Sequence, residues 1–123
     1  MQIDDILQTN PSKIAYISSE TENIRLKWQQ AKEEYEHTEA KFVMILKAKK
    51  PETKATELKY YIKEDDGLYK KRLDILLLES TYRKKSLEIE ALTEELQAAK
   101  MLARLRISEW TQTGDFNEEG RVL

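Results

Sequence analysis

The sequence predicts an all-α protein: a long antiparallel helical hairpin or coiled coil that associates with further copies of itself. Three observations predict it. Apolar residues recur at alternating spacings of four and three instead of gathering into a concentrated set. Charged residues make up 36% of the 123-residue chain, against roughly 25% in average domains, which suits solvated helix faces better than a compact core. Only 3 Gly and 2 Pro are present, so regular structure has few places to stop.

Taken from the N-terminus, residues 2–9 read as a short helix stopped by Asn10-Pro11, because the residue before a proline is driven out of the α region. Residues 1–18 are thus expected to form a short N-terminal helix and linker. A second start comes at Ser19, with Glu22 three residues on in the capping-box pattern. Ile17, Thr21, Ile24, Trp28, Ala31, Tyr35, Thr38, Phe42 and Ile45 then make a heptad seam, which predicts a helix over 19–49. Pro51 ends it, the turn occupies 50–52, and Thr53 is the expected N-cap of the next helix. So short a connection folds that helix back antiparallel.

The stretch 53–110 keeps a strict seven-residue repeat: Tyr61, Leu68, Ile75, Tyr82, Ile89, Leu96, Ala103 and Trp110. Leu78, Leu92, Ala99 and Ile107 accompany it, and Leu73, Leu76 and Leu77 widen the apolar face. Asp65-Asp66-Gly67 is the one breaker, where the helix either breaks or runs on. A first helix over 19–49 covers only about half of this stretch, and no Gly or Pro between 68 and 113 lets the chain turn back again. The uncovered seam therefore predicts self-association, with Trp28, Tyr35, Phe42, Leu68, Ile75, Tyr82, Ile89, Leu96 and Trp110 as the oligomerisation seam. The tail 111–123 has two Gly and no periodicity and reads as disordered.

Several function classes find no support. With no Cys and a single histidine, His37, flanked by Glu33 and Lys41, there is no ligand set for a metal. Carboxylate pairs such as Glu33-Glu34 and Glu94-Glu95 are expected from composition, and a coiled coil offers no dry pocket to shift their pKa values. Glycine-rich phosphate loops and nucleophile motifs are absent. The chain is expected to have no catalytic residues and no cofactor, and not to be an enzyme. It has no apolar run of about 18 residues, and its acidic start, MQIDDILQTN, is not a secretory leader. A soluble, cytoplasmic protein without a membrane partner is expected.

Charge is segregated although the net charge is only −2. Residues 1–45 carry five positive and eight negative groups. Residues 46–54 carry Lys47, Lys49, Lys50 and Lys54 against Glu52, net +3. Residues 70–85 carry Lys70, Lys71, Arg72, Arg83, Lys84 and Lys85 against Asp74 and Glu79, net +4, and residues 86–98 carry four Glu and no base. Such blocks either pair between helices and set their register or, at an exposed hairpin tip, bind phosphates. Lys47, Lys49, Lys50 and Lys54 are the candidate nucleic-acid-binding residues. Tyr60, Tyr61 and Tyr69 lie near them in sequence and are candidates to stack on unpaired bases, although Tyr61 also fits the seam.

The acidic start, the long helices and the central Leu46-Lys47-Ala48-Lys49 together resemble the UvsY family of phage recombination mediators. Ile17-Ser18-Ser19-Glu20-Thr21 and Ile107-Ser108-Glu109-Trp110 are similar to stretches near the two ends of that family. The resemblance implies a helical, ring-forming homo-oligomer that binds single-stranded DNA and helps load a RecA-like recombinase onto DNA coated by single-strand binding protein. It assigns the DNA contact to Lys47 and Lys49. Directly after the motif the chain departs from the family, with Lys50-Pro51-Glu52 in place of an aromatic pair and a glycine. The expected function is thus a phage-type recombination or replication accessory protein, binding single-stranded DNA and a recombinase or single-strand binding protein. The alternative is a structural or regulatory coiled-coil adaptor that binds only protein.

Overall fold

A computed structural model describes residues 2–114 of the chain, with side chains through residue 111. They form three helices: α1 (Ile3–Lys49), α2 (Ala55–Glu64) and α3 (Asp66–Gly114). Among the described residues there is no β-strand, and the fold is all-α, as the apolar spacing predicts. The chain divides into two units. One joins α1 through Ser19 to α3 from Ser86 onward; the other is Glu20–Lys85.

In the unit Glu20–Lys85, α1 and α3 run antiparallel. Lys85 meets Glu20 at 3.2 Å, the Trp28 and Tyr82 rings lie 5.6 Å apart, and Lys71 meets Glu34 at 2.7 Å. Partners on α3 thus fall in number as those on α1 rise. The inward face of α1 carries Ile24, Trp28, Ala31, Tyr35, Thr38 and Phe42, and that of α3 carries Leu68, Ile75, Leu78 and Tyr82. Leu68 is 1% exposed. Ile45 does not continue the seam: it faces solvent, and Leu46 turns inward instead. An α-helix drifts about 20° per heptad against a strict repeat, so after four repeats the next residue fills the inward position.

In the other unit α1 does not stop at Asn10-Pro11, and Ser19 starts no helix; both lie inside α1. Ile3, Leu7, Asn10, Ile14 and Ile17 extend the same seam towards the N-terminus, against Ile89, Leu92, Leu96, Ala99 and Ala103 on α3. Pro11 faces solvent, so its ring meets no neighbouring helix. A proline within a helix costs about 3 kcal/mol, while completely burying a large apolar side chain gives roughly 1.5–3 kcal/mol. A few such partly buried residues therefore offset it. Asn10 is fully buried, and its Nδ2 donates to the Leu92 carbonyl at 3.2 Å and to Glu95 Oε1 at 2.9 Å.

The premise for self-association, a first helix half as long as the second, does not hold. α1 has 47 residues and α3 has 49. Trp28, Tyr35, Phe42, Leu68, Ile75, Tyr82, Ile89 and Leu96 lie on the faces that close α1 and α3 on each other within one chain, not on an outer seam. Trp110 departs further, being 78% exposed, and Ile107 is exposed with it. Stepping from Asn10 back to Ile3 on α1 corresponds to stepping from Leu92 and Glu95 to about residue 102 on α3. Beyond Ala103, α3 therefore has no α1 beside it. It stays helical through Gly114, so the first residues of the tail expected to be disordered are helical, and 115–123 lie outside the described residues.

The breaker at 65–67 is a real break, made by Asp65. Its backbone is extended, at φ −70 and ψ 122, and its Oδ2 accepts the N–H of Leu68 at 3.0 Å. That is an N-cap on α3, satisfying a donor the helix itself leaves orphaned. Among the described residues no helix is long and apolar enough to cross a membrane.

Candidate functional site

The turn between α1 and α2 is built by proline and threonine. Pro51 disfavours an α conformation at Lys50, so α1 ends at Lys49. The Lys50 N–H still donates to the Leu46 carbonyl at 2.8 Å. Thr53 then closes the turn from both ends of the residue: its N–H donates to the Lys50 carbonyl at 3.1 Å and its hydroxyl to the same oxygen at 2.7 Å. Thr53 is therefore not the N-cap of α2. Lys54 holds that position and has no side-chain cap bond, which leaves the first N–H groups of α2 without a side-chain acceptor.

Lys47, Lys49, Lys50 and Lys54 all lie at this turn and are exposed. Among the described residues none of the four has a carboxylate partner. Lys50 and Lys54 line a shallow open concavity with Pro51, Glu52, Thr53 and Glu57. Most of the second basic block behaves differently, although Lys70 and Lys84 are exposed and without a carboxylate partner among the described residues. Lys71 is paired with Glu34, Lys85 with Glu20 and Arg83 with Glu79. The hydrogen bond from Lys71, and then its charge, holds the Glu34 carboxyl below its ordinary value. Arg72 is fully engaged: Nη1 donates to the Tyr35 hydroxyl at 3.1 Å and the Ile62 carbonyl at 3.3 Å, and Nη2 to the Lys63 carbonyl at 3.0 Å. It therefore ties α1, α2 and α3 together and caps the C-terminus of α2.

The structure also gathers what the sequence separates. α2 turns Leu58, Tyr61 and Ile62 inward. Tyr61 sits beneath Lys50, whose Nζ is 5.4 Å from the ring centroid, and the Tyr60 ring stands edge-on to it at 6.0 Å and 71°. Eleven residues apart in sequence, Lys50 and Tyr61 become neighbours because α2 folds back over the end of α1. Tyr69 is instead beside Arg72, in a concavity also lined by Lys63, Glu64 and Asp66. Reading the sequence missed Lys59 and Lys63, which flank Tyr60 on the outer side of α2. Their signal was present: Lys59, Tyr60 and Lys63 share the helix side opposite Leu58, Tyr61 and Ile62.

Among the described residues no three His, Asp or Glu side chains gather as a metal site requires. No family model, curated protein or solved structure matches this chain.

Proposed function

We propose that this chain is a non-catalytic accessory protein that binds single-stranded nucleic acid through the lysine turn and works as a self-associated assembly. On this reading it is a mediator of the UvsY kind: a cytoplasmic protein, in a host cell if phage-encoded, acting beside a recombinase or a single-strand binding protein. One observation carries the reading. Four exposed lysines without a carboxylate partner, Lys47, Lys49, Lys50 and Lys54, are concentrated on one turn, whereas in the block at 70–85 Lys71, Arg83 and Lys85 are paired with carboxylates, Arg72 is engaged by Tyr35 and two carbonyls, and Lys70 and Lys84 alone are left unpaired among the described residues. Unpaired lysines concentrated on one turn are what counterion-releasing phosphate contacts need. Support for self-association comes from the exposed leucines of α3, Leu73, Leu76 and Leu77, which form an apolar row that no helix among the described residues covers.

The test is binding to a fluorescent poly-dT oligonucleotide by anisotropy, at low and at near-physiological salt. Wild type is expected to bind in a salt-sensitive manner, and the Lys47→Glu/Lys49→Glu double variant to lose binding with unchanged far-UV circular dichroism. Unchanged binding in the double variant rejects the reading.

The same leucine row favours a second reading, a coiled-coil adaptor that binds only protein. On that reading wild type does not bind poly-dT at low salt, and replacing Leu73, Leu76 and Leu77 with polar residues is what changes its associations.

A further inference from the structure

Tyr60 is 61% exposed and lies on the side of α2 opposite Leu58, Tyr61 and Ile62. A lone exposed tyrosine on a helix means little by itself. Three things set this one apart. Its ring is braced edge-on by Tyr61. Tyr61 is itself held beneath Lys50, so the position of the Tyr60 ring is tied to the lysine turn. Lys59 and Lys63 lie to one side of it, exposed and with no carboxylate partner among the described residues, while Glu57 and Glu64 lie to the other, so a strand's phosphates are directed to the lysine side.

We propose that Tyr60 is a stacking platform for an unpaired nucleobase, with the neighbouring phosphates held by Lys50, Lys59 and Lys63. This deepens the reading of the lysine turn as a nucleic-acid site and rests on it. The ligand class is single-stranded nucleic acid of any sequence: a ring face accepts every base, whereas a duplex keeps its base faces buried in the stack. Tyr61 is the brace, not the platform, because its ring is half-buried and already covered by Lys50. Tyr69 is not chosen because the cation beside its ring, Arg72, is already engaged by the Tyr35 hydroxyl and the Ile62 and Lys63 carbonyls and is not free to hold a phosphate.

The experiment compares three labelled ligands of equal length at low salt: poly-dT, an abasic phosphate ladder and a duplex. Stacking on one tyrosine is worth about tenfold in affinity or more. Wild type is expected to favour poly-dT over the abasic ladder by about that factor, and over the duplex as well. Tyr60→Ala is expected to bind the abasic ladder as wild type does and to lose the preference for bases, while Tyr60→Phe keeps it. Equal binding of poly-dT and the abasic ladder by wild type overturns the platform and leaves the lysine reading standing. A preference that survives in Tyr60→Ala also overturns it. Absence of wild-type binding to all three ligands overturns the lysine reading itself and the platform with it.

Discussion

Asp65 does at one position what the whole segment Asp65-Asp66-Gly67 promised. Leaving the α region at Asp65 ends α2, and the same residue's carboxylate caps α3 three residues before the buried Leu68. Gly67 is not the agent of the break, although a Cβ there would stand 3.3 Å from Asp65 Oδ2 and crowd the cap. Asp65→Ala is therefore expected to cost about 1 kcal/mol, read as a lower thermal midpoint by circular dichroism; an unchanged midpoint would mean the cap contributes nothing. Asn10 is the opposite case, because its sequence context misleads. Beside Pro11 it reads as a helix stop, yet it occupies a seam position, fully buried, with Oδ1 lacking a partner. A polar seam residue lowers stability while fixing register, so Asn10→Leu is expected to raise the midpoint and broaden the distribution of species in light scattering. Glu34 gives a pH signature. Its folded pKa is lowered by Lys71, so its contribution is present above the ordinary carboxylate value and disappears as pH falls through the lowered one. The pair is largely exposed and its effect small. The stability difference between wild type and Glu34→Gln should be present at neutral pH and close on acidification; a difference that widens there contradicts the sign.

Periodicity made most of the helical pairing legible in the sequence, and terminators made it less so. The seven-residue repeat of α3 marks the inward face correctly from Leu68 to Ala103, because side-chain direction on a helix is set by spacing alone. It fails at Trp110 for a reason that spacing does not carry: α1 has already ended, so among the described residues no helix stands opposite. Ile3, Leu7, Asn10, Ile14 and Ile17 continue the α1 seam without a break in rhythm. A local rule about proline overruled that signal, although tertiary packing governs such cases. Of the candidate site, the lysine turn was legible from charge alone. The neighbourhood of Lys50 and Tyr61 was not, because it depends on α2 folding back. The passage of α1 through Pro11 makes its own prediction. Restoring an N–H towards the Leu7 carbonyl and removing the ring, as in Pro11→Ala, is expected to stabilise the protein by up to about 3 kcal/mol. A lowered melting midpoint in that variant would show that Pro11 fits its helix at no cost.

At the scale of the whole molecule, a net charge of −2 conceals a division of labour among basic residues. Within 70–85, Lys71 and Lys85 meet carboxylates across the paired helices, where they favour one register over others. The four at the turn meet none. Salt acts on both sets, but exposed ion pairs contribute little to folding, so helix content should hold across a range of salt that dissociates a bound strand. Binding then yields a count. For single strands, the logarithm of affinity falls with the logarithm of salt concentration with a slope of about −0.7 per phosphate neutralised, and the four turn lysines with Lys59 and Lys63 give about −4 for one chain. Several copies engaging one strand multiply that figure, because each presents its own turn. Anisotropy titrations of poly-dT over a salt series, with circular dichroism on the same samples, therefore measure how many turns act together. A slope of about −4 assigns one chain to a strand and removes the need for assembly in binding. A slope several times steeper requires an assembly, and should fall by about a third in Lys47→Glu/Lys49→Glu if any binding survives, since two of the six contacts in every copy are gone.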